Sequence, residues 1–417
     1  MDVFTATSLS LQRGNCPLYF DVYVPRVPLN GDIVSGTVLI SVGSQPVAVL
    51  NTTLEIQGQS SAGADKKNWK LKVSNAAGDD VEVSVGDWLP SKKITLKSYG
   101  NIPGNPTLFD RSLVRESVSA ELWRRIYRSL DYPTSLIAPP ETWKQATLNQ
   151  TDRQTSALFS TDCHPAVLSF NGVFFGVCMM RTSADEGDFL MDKKNPGHYL
   201  LQPQHVSQNV LTEWQPDLWE FTSPKKPKDA AVQWFFDFFK GVVNGTVDPA
   251  TAHTVLNVPS FLLYVIFCEI VGSFDSLNNN VMIGGWDWSA NGGTAYFFPY
   301  DLDETLGCVW NHQGDAGSLP ENVGFVHTGD PAWNALFSYF VATGDVARLW
   351  SRIRTSGVLD PQNIWEIIRK YSGPIGSDLY LKETAAWGTN VISAPFYLQD
   401  WVVRRIAWLD AQWGYSA

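Results

Sequence analysis

One stretch of the chain combines carboxylate and amide side chains at a spacing that suits phosphate chemistry. In FCEIVGSFDSLNNN (267–280), Asp275 is followed five residues later by Asn280, directly after an apolar run. In protein kinases the catalytic Asp and a metal-binding Asn share one loop at this spacing. Phosphoryl transfer needs a divalent cation and a carboxylate that orients the attacking hydroxyl. Asp275 and Asn280 are therefore candidates for these tasks, and the alternative is that Asp275 caps a turn.

A second acidic segment follows a predicted hairpin over 281–299. In YDLDETLG (300–307), Asp301, Asp303 and Glu304 place three carboxylates within four positions. Such a group is costly to desolvate unless it faces water, caps a helix or holds a cation. We expect Asp275, Asn280 and Asp301 to converge on one cleft, with oxygens close enough to share a cation.

The segment 1–185 must position these groups with strands and a single helix. Alternating and β-branched residues predict strands over 38–42, 52–58, 68–73 and 93–100. An apolar stripe predicts a helix over 112–130. The dipeptide Asn171-Gly172 predicts a hairpin that joins strands 166–170 and 173–180.

The rest of the chain is predicted to be mostly helical. The predicted helices cover 232–240, 259–271, 345–353, 361–371 and 395–413. Protein-kinase-like folds are built in the order predicted here: strands, one helix, two more strands, a joint (near 181–187) and then helices. We therefore predict an α+β, two-lobed, protein-kinase-like fold, with a β-rich N-terminal extension (1–50), an N-lobe (51–185) and a C-lobe (186–417).

Five blocks in this order resemble the CotH family of kinase-like proteins, known from spore coats. They are LEIQGQSSAGADKKNWKLKV (54–73), KITLKSYGN with SLVRESVSAELWRRI, AVLSFNGVFFGVCMM, CEIVGSFDSLNNN and FPYDLDETLG. The resemblance implies ATP and Mg²⁺ or Mn²⁺ as cofactors, and transfer of the γ-phosphoryl group to a protein hydroxyl.

The resemblance also implies roles for individual residues. Lys66, or its neighbour Lys67, would bind phosphate, and Glu116 or Glu121 would position that lysine through an ion pair. Asp275 would be the base. The metal ligands would be Asn280 and Asp301, with Asp303 able to replace or assist Asp301.

Three positions depart from the family pattern. Gln57 stands where the family has an arginine, which removes a bidentate phosphate donor. Cys178 replaces a tyrosine, and Arg181 or Thr182 falls where an acidic residue is expected. A second hypothesis is therefore a catalytically degraded chain that serves as a structural or adhesive part of an assembly, such as a virion or surface layer. Its contact would lie on the segment 1–50.

Composition restricts the possible partners and location. The formal net charge of −11 argues against nucleic-acid binding, which requires a basic surface. The apolar run 258–271 is shorter than the roughly 20 residues that span a bilayer, so it predicts a buried helix. The N-terminus lacks the pattern of a signal peptide, so we expect synthesis in the cytoplasm, and the second hypothesis adds incorporation into a particle or surface assembly. The five cysteines are predicted to be reduced, and the six histidines show no zinc-site spacing.

Overall fold

The computed structural model describes residues 3–58, 60–100, 110, 112–130, 156–204, 210–273, 275–308, 320–324, 326–388 and 395–416. In these ranges the strands are β1 (Ser8–Leu11), β2 (Leu18–Tyr23), β3 (Val34–Val42), β4 (Gln45–Gln57), β5 (Asn68–Ser74), β6 (Glu82–Val85), β7 (Lys93–Lys97), β8 (Cys163–Phe170), β9 (Val173–Arg181), β10 (Tyr199–Pro203), β11 (Trp219–Ser223), β12 (Val281–Gly285) and β13 (Tyr296–Pro299). The helices are α1 (Arg115–Ser129), α2 (Gln233–Val243), α3 (Val258–Val271), α4 (Pro331–Ala342), α5 (Asp345–Thr355), α6 (Pro361–Trp387) and α7 (Pro395–Trp413).

Seven strands form a closed barrel in the order β2-β3-β4-β5-β7-β9-β8. All neighbouring pairs are antiparallel except β2 and β8, which run parallel and close the barrel. Alternate residues such as Phe20, Leu50 and Leu71 are fully buried inside it. This is the period of two that the strand predictions relied on.

The segment 1–50 does not form a separate extension. It supplies β2 and β3 to the barrel, and the predicted boundary at residue 50 falls inside the continuous strand β4. The boundary prediction failed because strand pairing joins segments that are far apart in the chain: β2 pairs with β8, which follows α1. A pattern within one segment does not show which distant strand that segment pairs with.

The two predicted hairpins are present. Asn171 (φ 52°) and Gly172 (φ 78°) both adopt left-handed backbone angles, which a two-residue turn of this type requires. They connect β8 to β9 with Phe170 opposite Val173. The second hairpin pairs β12 with β13 in a four-stranded sheet of order β11-β10-β12-β13.

The helices pack around α3, whose residues from Ser260 to Val271 are all buried. Its sequence is apolar on every side, as expected of a central helix. Helix α3 contacts β13, α5 and α7, whereas α6 contacts α1 and the barrel strands β8 and β9. No described helix has the length and apolar character needed to cross a membrane. The chain therefore has mixed α and β content with several sheets, consistent with the α+β class.

Candidate functional site

A polar cavity of about 240 Å³ lies where one edge of the barrel meets the segments after α3 and β13. The described side chains that line it include those of the two acidic motifs, two cations and several amides. They are Gln57, Ser61, Asn68, Lys97, Arg181, Gln202, Gln204, Glu220, Asp275, Asn279, Asn280, Tyr300, Asp301, Asp303 and Glu304.

The end of α3 sets the position of Asp275. Gly272 ends the helix with a left-handed backbone (φ 66°), and a short turn begins at Asp275. Asn280 Nδ2 donates to Asp275 Oδ2 (2.6 Å) and also to the backbone oxygen of Asp301 (3.2 Å). The structure therefore brings Asp275, Asn280 and Asp301 together on one cavity, and their catalytic and metal-binding roles stay predictions.

Asp301 is a carboxylate of the cavity that two cations contact. Its Oδ1 accepts from Lys97 Nζ (2.8 Å) and from Arg181 Nη1 (2.6 Å). Although burial acts to raise the pKa of Asp301, these two cations outweigh it and hold that pKa well below its usual range. Asp301 has a positive φ of 50°, which Asp tolerates better than most residues. Because Asp301 stays ionised, it is a permanent negative charge beside the cavity.

The pKa of Asp303 is shifted in the opposite direction to that of Asp301. Its Oδ2 lies 3.7 Å from Lys97 Nζ. Burial, opposed by Lys97 but reinforced by the negative charge of Asp301, raises the pKa of Asp303 to about 7. Asp303 therefore loses its proton less readily than Asp301 does.

Arg181 and Glu116 form an ion pair behind Asp301. Arg181 Nη1 contacts Glu116 Oε1, and Tyr99 OH donates to Glu116 Oε2 (2.7 Å). Arg181 Nη2 donates to Tyr300 OH (3.1 Å). Glu116 of α1 is therefore close to the cavity, as its predicted role required, but its cationic partner is an arginine from β9.

Lys66 lies elsewhere, and the predicted ion pair with Glu116 or Glu121 is not formed. Lys66 is fully buried, and its Nζ contacts Glu383 Oε1 on α6 (2.5 Å) and donates to the backbone oxygen of Val177 (2.5 Å). Lys67 Nζ donates to the backbone oxygen of Ala62 (2.8 Å). Neither lysine is among the described residues that line the cavity.

Glu121 also lies away from the cavity. It pairs with Arg124 (2.7 Å), Arg125 (3.0 Å) and Lys370 (3.0 Å), in a cluster that includes α6.

The lysine of the cavity is Lys97, which the motif comparison did not select. It is the last residue of β7, and its side chain is only 8% exposed. The sequence does contain a signal: a lysine that directly follows apolar residues of a strand must reach a counter-charge if it is buried. Lys93 begins the same strand and is exposed, so the pattern alone does not distinguish the two.

The residues present suit a hard divalent cation that arrives with a phosphate ligand. Among the described residues, no group of three or more His, Cys, Asp or Glu side chains is arranged to hold a metal alone. The cavity nevertheless offers carboxylates and amide oxygens, and Mg²⁺ is commonly held by one or two carboxylates together with substrate phosphates. Asn280, Asp301 and Asp303 would be the residues that hold it.

Comparison with known proteins agrees with the resemblance seen in the sequence. A search of curated protein sequences finds no match to this chain. The family model described as CotH kinase protein matches residues 54–409, which cover the barrel strands from the end of β4 onward, the cavity and most of the helices. Since this match spans well over half of the 417 residues, the chain belongs to the CotH kinase protein family.

Proposed function

We propose that this protein is a kinase-like phosphotransferase that moves the γ-phosphoryl group of ATP to a protein hydroxyl. In this proposal the barrel side and the helical side act as two lobes, with the reaction in the cavity between them. The observation that supports it is the meeting of Lys97, Asp275, Asn280 and Asp301 on one cavity. A cation, a base and two oxygen ligands are the parts that phosphoryl transfer requires.

Each group has one task. Lys97, which its contact with Asp301 holds in place, binds phosphate oxygens. The Asp275 carboxylate takes the proton of the acceptor hydroxyl as the new O–P bond forms and the bond between the γ-phosphorus and the ADP oxygen breaks. A divalent cation, when bound, neutralises charge on the phosphates. Asn280 stays fixed by its contacts with Asp275 and Asp301, so it presents its amide in a defined place.

The test is transfer of radiolabel from ATP, with Mg²⁺ or Mn²⁺, to the protein itself or to a generic protein acceptor. Lys97→Met should lower the rate by about 100-fold or more, because a charge that stabilises the transferring phosphoryl group is lost. Lys67→Met is the matched control and should keep the wild-type rate, since the Lys67 ammonium donates to the backbone of its own loop and lies outside the cavity lining. Equal losses in both variants, or no transfer by the wild type, would contradict the proposal.

A second candidate function, as a structural part of an assembly, is favoured by one exposed apolar region. The β2–β3 connection carries Leu29 (71% exposed) and Ile33 (68%), and the β8–β9 turn carries Val173 (71%). Because β2 and β8 are parallel neighbours, both connections lie at the same end of the barrel. Apolar side chains grouped at one end suit contact with another protein chain.

Nucleotide-dependent stabilisation separates the two candidates. A ligand at a hundredfold excess over its Kd raises the free energy of unfolding by about 2.7 kcal/mol. The phosphotransferase should therefore melt at a higher temperature with Mg²⁺ and ATP. The assembly component should show no such shift, and it should self-associate in sedimentation experiments unless Leu29 and Ile33 are both replaced by Ser.

A further inference from the structure

Arg181 brings a positive charge into direct contact with Asp301, the carboxylate that would bind the metal. Its Nη1 contacts both Asp301 Oδ1 (2.6 Å) and Glu116 Oε1, and its Nη2 donates to Tyr300 OH. The centre of the guanidinium lies 5.0 Å from the centroid of the Tyr300 ring. The residue is 5% exposed, so water screens its charge poorly.

Asp301 is already in contact with two positive charges before any metal binds, and one of them, Lys97, also lies 3.7 Å from Asp303. Glu116 and Asp301 are two negative charges, and Lys97 and Arg181 are two positive charges in direct contact with them. A divalent cation at Asp301 would add two positive charges beside a buried guanidinium and an ammonium. The repulsion falls only slowly with distance in such poorly screened surroundings.

Arg181 is held too firmly to leave when a cation approaches. It belongs to β9, a barrel strand paired on both sides, while Glu116 belongs to α1 and Asp301 follows β13. Glu116 is itself held by the hydroxyl of Tyr99 (2.7 Å). Removing the guanidinium from Asp301 would leave the buried Glu116–Arg181 pair in place, so its charge stays near the site.

We propose that Arg181 is the resident counter-cation of Asp301, which excludes free divalent metal and admits it only together with a phosphate ligand. Phosphate oxygens bring the negative charge that offsets the two extra positive charges of the metal. The inference rests on the proposed function in one respect, that a divalent cation is the ligand of Asp301. It adds a prediction on the order of binding that phosphoryl transfer by itself does not require.

The test is a titration of the 417-residue chain with Mn²⁺ in the absence of nucleotide, in which paramagnetic resonance reports the free ion. The wild type should bind Mn²⁺ only weakly. Arg181→Gln, which removes the charge but keeps a hydrogen-bonding side chain, should bind it at least about tenfold more tightly. Arg181→Lys, the control that keeps the charge, should resemble the wild type. Adding a non-hydrolysable ATP analogue should raise the Mn²⁺ affinity of the wild type more than that of Arg181→Gln.

Two results would overturn the inference. One is tight binding of free Mn²⁺ by the wild type, and the other is a folded Arg181→Gln variant that binds no more tightly than the wild type. If Arg181→Gln does not fold because Glu116 loses its cation, the wild type and Arg181→Lys still decide the inference, because tight binding of free Mn²⁺ by either of them would overturn it. Absence of phosphoryl transfer together with the expected Mn²⁺ affinities would reject the proposed function while supporting the role of Arg181.

Discussion

Helix α1 joins two clusters of buried charge that use the same kinds of residue in different ways. At its N-terminal end, Glu116 belongs to the cavity cluster with Arg181, Asp301 and Lys97. Further along, Arg124 contacts Asp162 (3.0 Å), an interior carboxylate that also pairs with Arg13. The difference is in access to solvent: the Asp301 side chain is 28% exposed, whereas that of Asp162 is fully buried.

This difference separates charges that can act on a ligand from charges that hold elements together. Asp162 accepts hydrogen bonds from Trp88 Nε1 (2.9 Å), Tyr371 OH (3.1 Å) and Arg124, so it connects α1, α6 and the barrel. We call this group, together with Glu121, the interior cluster. None of its residues is among the described residues that line the cavity. Ion pairs of similar geometry therefore serve stability in one place and, in our proposal, chemistry in the other.

The largest expected effect is on the interior cluster. Asp162→Asn should lower the free energy of unfolding by about 3–5 kcal/mol, because it leaves Arg124 buried without its main counter-charge. The measurement is urea unfolding followed by circular dichroism. The matched control is Asp80→Asn, which breaks the exposed pair with Lys92 (3.1 Å) and should cost less than about 1 kcal/mol. Equal losses in the two variants would show that the interior cluster is not a stabilising connection.

Replacing each of the two buried lysines, Lys66 and Lys97, should also change the free energy of unfolding by different amounts. Lys66→Met leaves Glu383 buried without its ammonium partner and should cost about 3 kcal/mol. Lys97→Met should cost less, because Asp301 keeps its contact with Arg181 and faces the cavity. The double variant Lys66→Met/Glu383→Gln should recover part of the loss, since the uncompensated charge is gone. If Lys97→Met is the more destabilising of the two single changes, the contrast between the two regions is wrong.

Acid should weaken the interior cluster through Glu121. Burial acts to raise the pKa of Glu121, but Arg124 and Lys370 outweigh it and lower that pKa from 4.5 to about 2. Because the folded pKa lies below the unfolded one, the contribution of Glu121 is complete above about pH 4.5 and is lost as the pH falls toward 2. The difference in free energy of unfolding between the wild type and Glu121→Gln should therefore shrink over this range. A difference that stays constant with pH would show that Glu121 is not held ionised by its neighbours.

The smallest effect on stability should come from the residue with the largest expected effect on activity. Asp275→Ala removes hydrogen bonds to Asn279 and Asn280 at the edge of the cavity, so it should cost about 1 kcal/mol or less. Phosphate transfer should be abolished if Asp275 is the base. A melting curve beside the radiolabel assay checks both. Loss of several degrees of stability with activity retained would make Asp275 a structural cap.

Local patterns in the sequence were sufficient for the elements that depend on near neighbours. The turn at Asn171-Gly172 needs only two residues that tolerate left-handed angles, and α3 needs only a continuous apolar run. Helix α7 spans Pro395–Trp413, the predicted range, because an N-terminal proline and an amphipathic pattern mark it. The five-residue spacing of Asp275 and Asn280 was likewise sufficient to predict that both lie on one loop.

The tertiary structure decided which charges meet. No local pattern shows the partners of Lys66 and Lys97: the first contacts Glu383 near the end of α6, and the second contacts Asp301 just after β13. Arg181 became the partner of Glu116 because β9 lies beside β7 in a closed barrel, and closure depends on the pairing of β2 with β8. Electrostatic partners are chosen by distance and burial in the folded chain, whereas the period of a strand or the angles of a turn are set by residues next to one another.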